Sequence, residues 1–286
     1  MLTIWLGVSS GAILALVAIG LNIVYVASGT LNFAQPEFLV VGMFMSYMTV
    51  SGLGWPPVAA IPVGFAAGAL VGAVEERIAI RPLRAGAHGE LVTTLGWAVI
   101  MSGAVMLIWG PNPRTLHGFG AGTSVDVFGG RVAVNEFVIV VVAVVVALAV
   151  STWLRTTIAG LANLATAEDR EAATLRGINV RLLSTIAFAL AGGLLGALGP
   201  VVGPQTYAIF DLGAKLVLPA FVVLAVGGYG SNAGVLVGAL AVGLTQAAST
   251  RYLGANYASL SLFALLMVVL LLRPRGLFGT RSERVV

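Results

Sequence analysis

The sequence predicts an all-α polytopic membrane protein with about eight or nine transmembrane helices. Of its 286 residues, 59% are hydrophobic and 9% are charged, whereas a soluble domain carries about 25% charged residues. Glycine is abundant, at 37 residues, and small residues let helices approach closely in lipid. We therefore expect residues 1–286 to form one transmembrane domain.

Nine apolar runs are candidates for these helices. They cover residues 3–27, 37–50, 57–74, 91–109, 136–154, 183–198, 213–226, 233–249 and 257–272. The second and seventh runs are short for a membrane span of about 20 residues. Broken, tilted or re-entrant segments are expected there, and eight continuous spans are the alternative.

The distribution of arginine predicts the orientation in the membrane. Arginines gather in the loop at 77–84, in the loop at 155–182 and in the tail after residue 272. The positive-inside rule places these segments in the cytoplasm, with the N-terminus outside and the C-terminus inside. The net charge of +4 therefore reflects the orientation in the membrane. The sequence contains no pattern of interleaved basic and aromatic residues that would indicate nucleic-acid binding.

The external loop at 110–135 is the longest on its side. Alternating residues at 124–128 and 131–134 flank Gly129 and Gly130, which predicts a β-hairpin. Such an element can dock a partner, and a loop that only connects two spans is the alternative.

A polar insertion separates the first two apolar runs at residues 28–38. Polar backbone at membrane depth is tolerated only where protein or water surrounds it. Pro36 suits the first turn of a new helix, and Glu37 then lies where the helix dipole favours an anion. We expect Asn32, Gln35 and Glu37 to lie near a translocation path, with helix positioning as the alternative role of Glu37.

A second polar insertion contains Gln205, Thr206 and Tyr207, which are expected on the other side of the same path. Asp211 and Lys215 follow at a spacing that allows an ion pair on one helix face. Each insertion precedes a short apolar run, a glycine turn and a glycine-rich helix. This order suggests a two-half internal repeat, with the solute path between the halves.

The cytoplasmic loop at 155–182 contains a charged segment that predicts a short helix. Thr166 is expected as its N-cap and Gly177 as its stop. Alanines beside alternating charges can seat in a groove of a protein partner, and a solvated surface helix is the alternative. The candidate coupling residues are Glu168, Asp169, Arg170, Glu171, Arg176 and Gly177.

No catalytic or cofactor site is evident. Cysteine is absent, and His88 and His117 lie in polar loops without a metal-ligand partner at helical spacing. The pattern G-x-x-x-x-G-K-[ST] is missing, and Lys215 is the only lysine. The chain is not expected to be an enzyme, so transport would draw on an ion gradient or on a separate ATPase.

Four segments, in order, resemble motifs of the LivH-type permeases (LivH/LivM family) of branched-chain amino acid ABC importers. Residues 31–38 resemble N-F-A-x-G-E-F, 173–179 resemble A-x-x-x-G-I-N, 215–231 resemble K-A-F-V-x-x-V-x-G-G-x-G-S, and 273–279 match R-P-x-G-L-F-G. The similarity spans nearly the whole chain. Pro36 replaces the usual glycine, and residues 211–214 replace a simpler glycine-rich lead.

The resemblance implies the transmembrane permease subunit of an ABC importer in the bacterial inner membrane. Its implied partners are a second, LivM-like permease in a heterodimer, two cytoplasmic ATPase subunits that bind ATP and Mg²⁺, and an extracytoplasmic binding protein. Branched-chain amino acids are the expected solutes. Import of urea, short amides or aromatic acids, or ion-coupled secondary transport, are the alternatives.

Overall fold

The computed structural model describes residues 2–83, 87–116, 118–119, 123–127 and 130–279. Its helices are α1 (Leu2–Ser28), α2 (Gln35–Ser46), α3 (Pro57–Glu75), α4 (Ala87–Trp109), α5 (Val134–Thr156), α6 (Ile158–Glu168), α7 (Arg170–Leu175), α8 (Val180–Ala197), α9 (Gly199–Thr206), α10 (Leu212–Gly227), α11 (Asn232–Tyr252) and α12 (Ala258–Leu272). Short π-helical turns at Tyr47–Gly52 and Glu76–Ile80 extend α2 and α3, and 3₁₀ turns lie at Arg81–Leu83 and Ala255–Tyr257. Arg84, His117, Phe128, Gly129, Arg281 and Arg284 lie outside the described residues.

The apolar runs of the sequence become helices, which confirms the all-α polytopic prediction. Within the described ranges, seven helices are long and apolar enough to cross a membrane, and α10 is a shorter apolar helix. The two runs expected to be short are α2, with 12 residues, and α10, with 16. Broken segments therefore occur where the polar insertions predicted them.

The segment between α4 and α5 contains an antiparallel hairpin of β1 (Ser124–Val127) and β2 (Gly130–Ala133). The register pairs Val127 with Gly130 and Ser124 with Ala133. The predicted hairpin is thus present, with Gly130 in the second strand rather than in the turn.

The chain forms two compact units that are interleaved in sequence. Unit 1 comprises Met1–Gly29, Val142–Leu183 and Pro219–Val286, and unit 2 comprises Thr30–Val141 and Ser184–Leu218. Neither unit is one continuous half of the chain, because each takes segments from both the first and the second half of the sequence.

Unit 1 is built on the antiparallel packing of α1 against α11. A Cβ atom on Gly243 would overlap the backbone of Gly7 and Gly11, so these glycines allow the two helices to touch. Further along, the buried Asn22 donates from Nδ2 to Oδ1 of Asn232 at 2.7 Å. Asn22 Oδ1 in turn accepts from the N–H of Gly230 at 2.8 Å, so both polar ends of its amide are used.

Unit 2 contains the corresponding packing of α3 against α8. Cβ atoms on Gly64 or Gly68 would overlap the carbonyl groups of Gly196 and Gly192, respectively. Gly196 also faces Gly42 of α2, so three helices meet at one glycine. Steps of four residues along each helix place these contacts on one face, which is the small-x-x-x-small pattern of membrane helices.

The two units repeat one arrangement with exchanged partners. In unit 1, α1 precedes the first polar insertion and pairs with α11, which follows the second insertion. In unit 2, α8 precedes the second insertion and pairs with α3, which follows the first. Each unit therefore joins one helix from each proposed repeat.

Candidate functional site

The first polar insertion is a structured turn between α1 and α2. Gly29 adopts φ +74° and ends α1, with its N–H bonded to the carbonyl of Tyr25 at 2.8 Å. Asn32 Oδ1 accepts from the N–H of Ala34 at 2.9 Å, which forms the local Asx turn that favours a chain reversal. The helix α2 then starts with Pro36 in its first turn, as predicted.

The insertion is fixed inside unit 2 by a carboxylate. Asn32 Nδ2 donates to Oε2 of Glu75 at 2.9 Å and to Oε1 of Gln35 at 3.3 Å. Asn32, Gln35 and Glu75 are all 0% exposed, and we call them the insertion cluster. In this conformation the cluster faces protein rather than a solvated passage.

Glu75 was absent from the residues that sequence reasoning singled out. It stands directly after the third apolar run, beside Glu76. An ionisable residue at the end of a span is a functional candidate by default, and that signal could have found it. Glu76 is also buried, and its Oε2 accepts from the hydroxyl of Thr185 at 2.7 Å.

Glu37 lies beside the second break rather than within the insertion cluster. Its side chain is 2% exposed, and a Cβ atom on Gly213 would overlap its carboxylate. Gly213 belongs to the first turn of α10, and Glu37 to the first turn of α2. Helix N-termini favour anions, so this position suits a carboxylate that holds two helix starts together.

The second polar insertion contains a strained residue. Tyr207 has φ 61° and ψ 154°, a region that residues other than glycine rarely adopt. Its N–H bonds to the carbonyl of Gly203 at 2.8 Å, and the following Ala208 exchanges two backbone bonds of 3.0 Å with Arg114. These neighbours hold the backbone in the strained conformation, while the Tyr207 side chain is 50% exposed.

The remaining residues of the second insertion are partly exposed. Gln205 and Thr206 end α9, and the Thr206 hydroxyl donates to the carbonyl of Val202 at 3.3 Å. Lys215 pairs with Asp211 at 2.7 Å, which confirms the predicted ion pair. The structure thus brings Asn32 and Gln35 together around Glu75, and brings Glu37 next to the helix start that follows Tyr207.

The segment that carries the candidate coupling residues consists of two helices, which corrects the predicted cap. Thr166 lies inside α6, and its hydroxyl donates to the carbonyl of Ala162 at 2.8 Å, as hydroxyls in helix interiors do. Asp169 caps α7 instead, accepting from the N–H groups of Glu171 and Ala172 at 2.9 Å. Its extended backbone, with φ −150°, separates the two helices.

The end of α7 follows the prediction. Gly177 has φ +86°, and the N–H of Ile178 returns to the carbonyl of Ala173 at 3.1 Å, which closes the helix. All six candidate coupling residues are exposed. The same helix presents Leu175, which is 89% exposed and is not among the candidate coupling residues.

The segment Arg273–Gly279 docks on unit 1 near the start of α11. The N–H groups of Leu277 and Phe278 donate to the carbonyls of Val226 and Gly227 at 2.8 and 2.9 Å, and so cap the end of α10. The adjacent turn holds Tyr229, whose ring lies 5.0 Å from that of Tyr25. Burial raises the pKa of Tyr229 to about 12, and Tyr25 adds to the rise.

A family model for "Branched-chain amino acid transport system / permease component" matches residues 3–272. The chain is 31% identical to the high-affinity branched-chain amino acid transport system permease protein LivH of Escherichia coli (strain K12), covering 96% of this chain and 93% of the relative. It is 28% identical to the corresponding protein BraD of Pseudomonas aeruginosa, covering 96% and 94%. A probable LivH of Methanocaldococcus jannaschii is 25% identical over 96% and 90%.

Among solved structures, PsaBC from Streptococcus pneumoniae in complex with Fab has a similar fold. The TM-score is 0.50 at 11% sequence identity, covering 94% of this chain and 91% of that chain. The likeness concerns the fold alone. The membrane helices, the order of the motifs and the match over most of the sequence all indicate the same family. The chain belongs to the family of branched-chain amino acid transport system permease components.

Proposed function

We propose that the chain is the membrane-spanning subunit of an ATP-driven importer for branched-chain amino acids. Its similarity to LivH and BraD over 96% of the chain carries the proposal, since both are described as high-affinity branched-chain amino acid permeases. The chain itself performs no chemistry in this scheme. ATP and Mg²⁺ are bound by separate ATPase subunits.

The partners follow from the same scheme. A second, LivM-like permease completes the membrane part, and a binding protein delivers the solute from outside. One of two cytoplasmic ATPases contacts α7 and the residues on either side of it, where Glu168, Asp169, Arg170, Glu171, Arg176 and Gly177 are accessible. Leu175 supplies an apolar contact at the end of that helix.

The contacts within unit 1 support the proposed orientation. Arg170 of α7 bonds to Ser28 at the end of α1, and Asn22 of α1 bonds to the turn that precedes α11. The segment Arg273–Gly279 docks at the same turn. The end of α1 and this arginine-bearing segment therefore share one end of unit 1, which the positive-inside rule assigns to the cytoplasm. The start of α1 lies at the opposite, external end.

The proposed solute path is lined first by Gln205, Thr206 and Tyr207, whose side chains are partly or fully exposed. Asn32, Gln35 and Glu37 are buried, and they reach the path when the broken helix α2 shifts during transport. Neutral hydrogen-bonding groups suffice for such a path, because the binding protein selects the solute. A strongly charged lining would retain it.

Proteoliposomes test this proposal. The chain is purified with its partner permease and ATPases, and uptake of labelled leucine, isoleucine and valine is compared with that of urea, acetamide and benzoate. We expect uptake of the branched-chain amino acids that requires ATP and the binding protein. Uptake driven by an ion gradient without ATP contradicts the proposal, and ATP-driven uptake of urea, acetamide or benzoate alone contradicts its solute.

A further inference from the structure

The coupling helix α7 bonds directly to the end of α1. Arg170 Nη1 donates to the main-chain carbonyl of Ser28 at 3.0 Å, across 142 residues of sequence. Ser28 is the last residue of α1, and α1 has no basic residue in its own last turn. A cation at a helix C-terminus is favourable, because it faces the negative end of the helix dipole and can bond to the last carbonyls. Arg170 therefore supplies from α7 the charge that α1 lacks.

The guanidinium of Arg170 is attached to a short helix with defined ends. Arg170 is the first residue of α7, and the preceding Asp169 caps it through two N–H groups. Gly177 closes the other end with φ +86°. A displacement of α7 as one body therefore carries the base of the Arg170 side chain with it.

The acceptor lies directly before the first polar insertion. Gly29 follows Ser28 with φ +74°, and a Cβ atom there would meet nothing within 4 Å. The backbone at Gly29 is thus unencumbered, and glycine is the residue that most readily changes φ and ψ. A force on the Ser28 carbonyl therefore acts directly beside Gly29, whose φ and ψ can change readily.

We propose that Arg170 is a positioning residue that transmits movement of α7 to the end of α1 and hence to the polar insertion at residues 30–34. This inference rests on the proposed function, because an ATPase has to move α7. Arg170 acts through Ser28 and Gly29, and it need not touch the solute.

The absence of cysteine from this chain allows a direct test in the assembled importer, with labelling measured on this subunit after the subunits are separated. Leu31→Cys introduces one thiol at a partly exposed position of the insertion. Its alkylation rate by a maleimide is measured with the ATPases nucleotide-free and with them trapped by ATP and vanadate. We expect trapping to change the rate by a factor of about 5 or more, the lower end of coupling between linked sites.

The same measurement in Leu31→Cys/Arg170→Gln is expected to lose this dependence on nucleotide, with the ATPases still co-purifying. Leu31→Cys/Arg170→Lys should retain part of it, because lysine keeps the positive charge and a long side chain that can donate to Ser28, whereas glutamine is shorter and neutral. Arg155→Gln is the matched control, since Arg155 is an exposed arginine of unit 1 near the end of α5 and is not among the candidate coupling residues. It should keep the nucleotide-dependent change in complexes that retain ATPase.

An undiminished nucleotide-dependent change in the Arg170→Gln variant overturns the inference and leaves the proposed function intact. An equal loss in the Arg155→Gln complexes also overturns it, because the effect would then follow from the loss of any exposed arginine of unit 1. Failure of ATPases to associate with the unaltered chain overturns the proposed function, and the inference with it.

Discussion

Asn32 donates a hydrogen bond of 2.9 Å to Glu75, a fully buried carboxylate 43 residues further along the chain. The same Asn32 side chain accepts from the backbone of Ala34. One amide therefore shapes the first polar insertion with its oxygen and anchors it to the end of α3 with its nitrogen.

Asn32→Asp should destabilise the protein strongly, because it keeps the oxygen that Ala34 needs but sets a second carboxylate against Glu75. Leaving a buried polar group without its hydrogen-bond partner costs roughly 1–3 kcal/mol, and more for a charged group. The double variant Asn32→Asp/Glu75→Gln reverses donor and acceptor and should recover much of the loss. Melting temperature in detergent and yield of monodisperse protein measure both effects. A double variant no better than Asn32→Asp would show that the contact is not specific.

Glu37→Gln should fold and retain appreciable transport. Glutamine has nearly the same shape and still offers a polar oxygen beside Gly213, whose position against Glu37 leaves little room. Glu37→Leu has a similar volume but loses the interaction with the helix starts, and it should lower the melting temperature. Transport abolished by Glu37→Gln in stable complexes would instead assign the charge to the solute path.

Gly196→Ala should destabilise unit 2 by about 1–3 kcal/mol, the usual effect of overpacking. The added Cβ would overlap the carbonyl of Gly64 and crowd the backbone of Gly68, neither of which can rotate away as a side chain can. Gly96→Ala is the control, because a Cβ there meets nothing within 4 Å. The changes in melting temperature caused by the two substitutions should differ in sign or in size. Equal melting temperatures of the two variants would contradict the close packing at Gly196.

Tyr207→Gly should raise stability while lowering transport. Glycine adopts φ 61°, ψ 154° without the strain of about 1–3 kcal/mol that other residues carry. Loss of the half-exposed phenol removes a group that we place beside the solute. A lower melting temperature would argue against backbone strain, and unchanged uptake would exclude the ring from the path.

Asp169→Ala should loosen α7 by about 0.5–2 kcal/mol, the typical value of an N-cap. Asp169→Asn should preserve the cap, because asparagine also presents a side-chain oxygen to the N–H groups of Glu171 and Ala172. Hydrogen exchange of those two amides should quicken only in the alanine variant. Thr166→Ala, within α6, should leave their exchange unchanged, and the reverse result would restore Thr166 as the cap.

Local chemistry made much of the fold predictable. Pro36 marked the start of α2, Gly177 marked the end of α7, and the spacing of Asp211 and Lys215 gave their ion pair. The prediction of Thr166 as the N-cap of α7 was wrong, because Thr166 and Asp169 are both of residue types that cap helices. The choice between them depended on where α6 ended.

The sequence could not predict which helices pack against each other, and the reason is physical. Gly196 indicates that another helix can approach closely, but lipid makes all apolar contacts nearly equal in energy and does not select Gly64 as the partner. The partner of Asn32 was hidden in the same way, because Glu75 comes close only after α2 and α3 pack. Whether Gln205, Thr206 and Tyr207 line the path stays a prediction.

Because α1 packs against α11, which is translated much later, the order of synthesis determines when unit 1 can form. The buried Asn22 of α1 finds its partner Asn232 only 210 residues later. At about 5 to 20 residues per second, translation of that stretch takes about 10 to 40 s. During this interval an early helix carries an unsatisfied amide in or beside lipid, so the insertion machinery or neighbouring helices must shelter it. Mutations that slow delivery of α11 should therefore expose α1 to quality-control proteolysis before any defect in transport is visible.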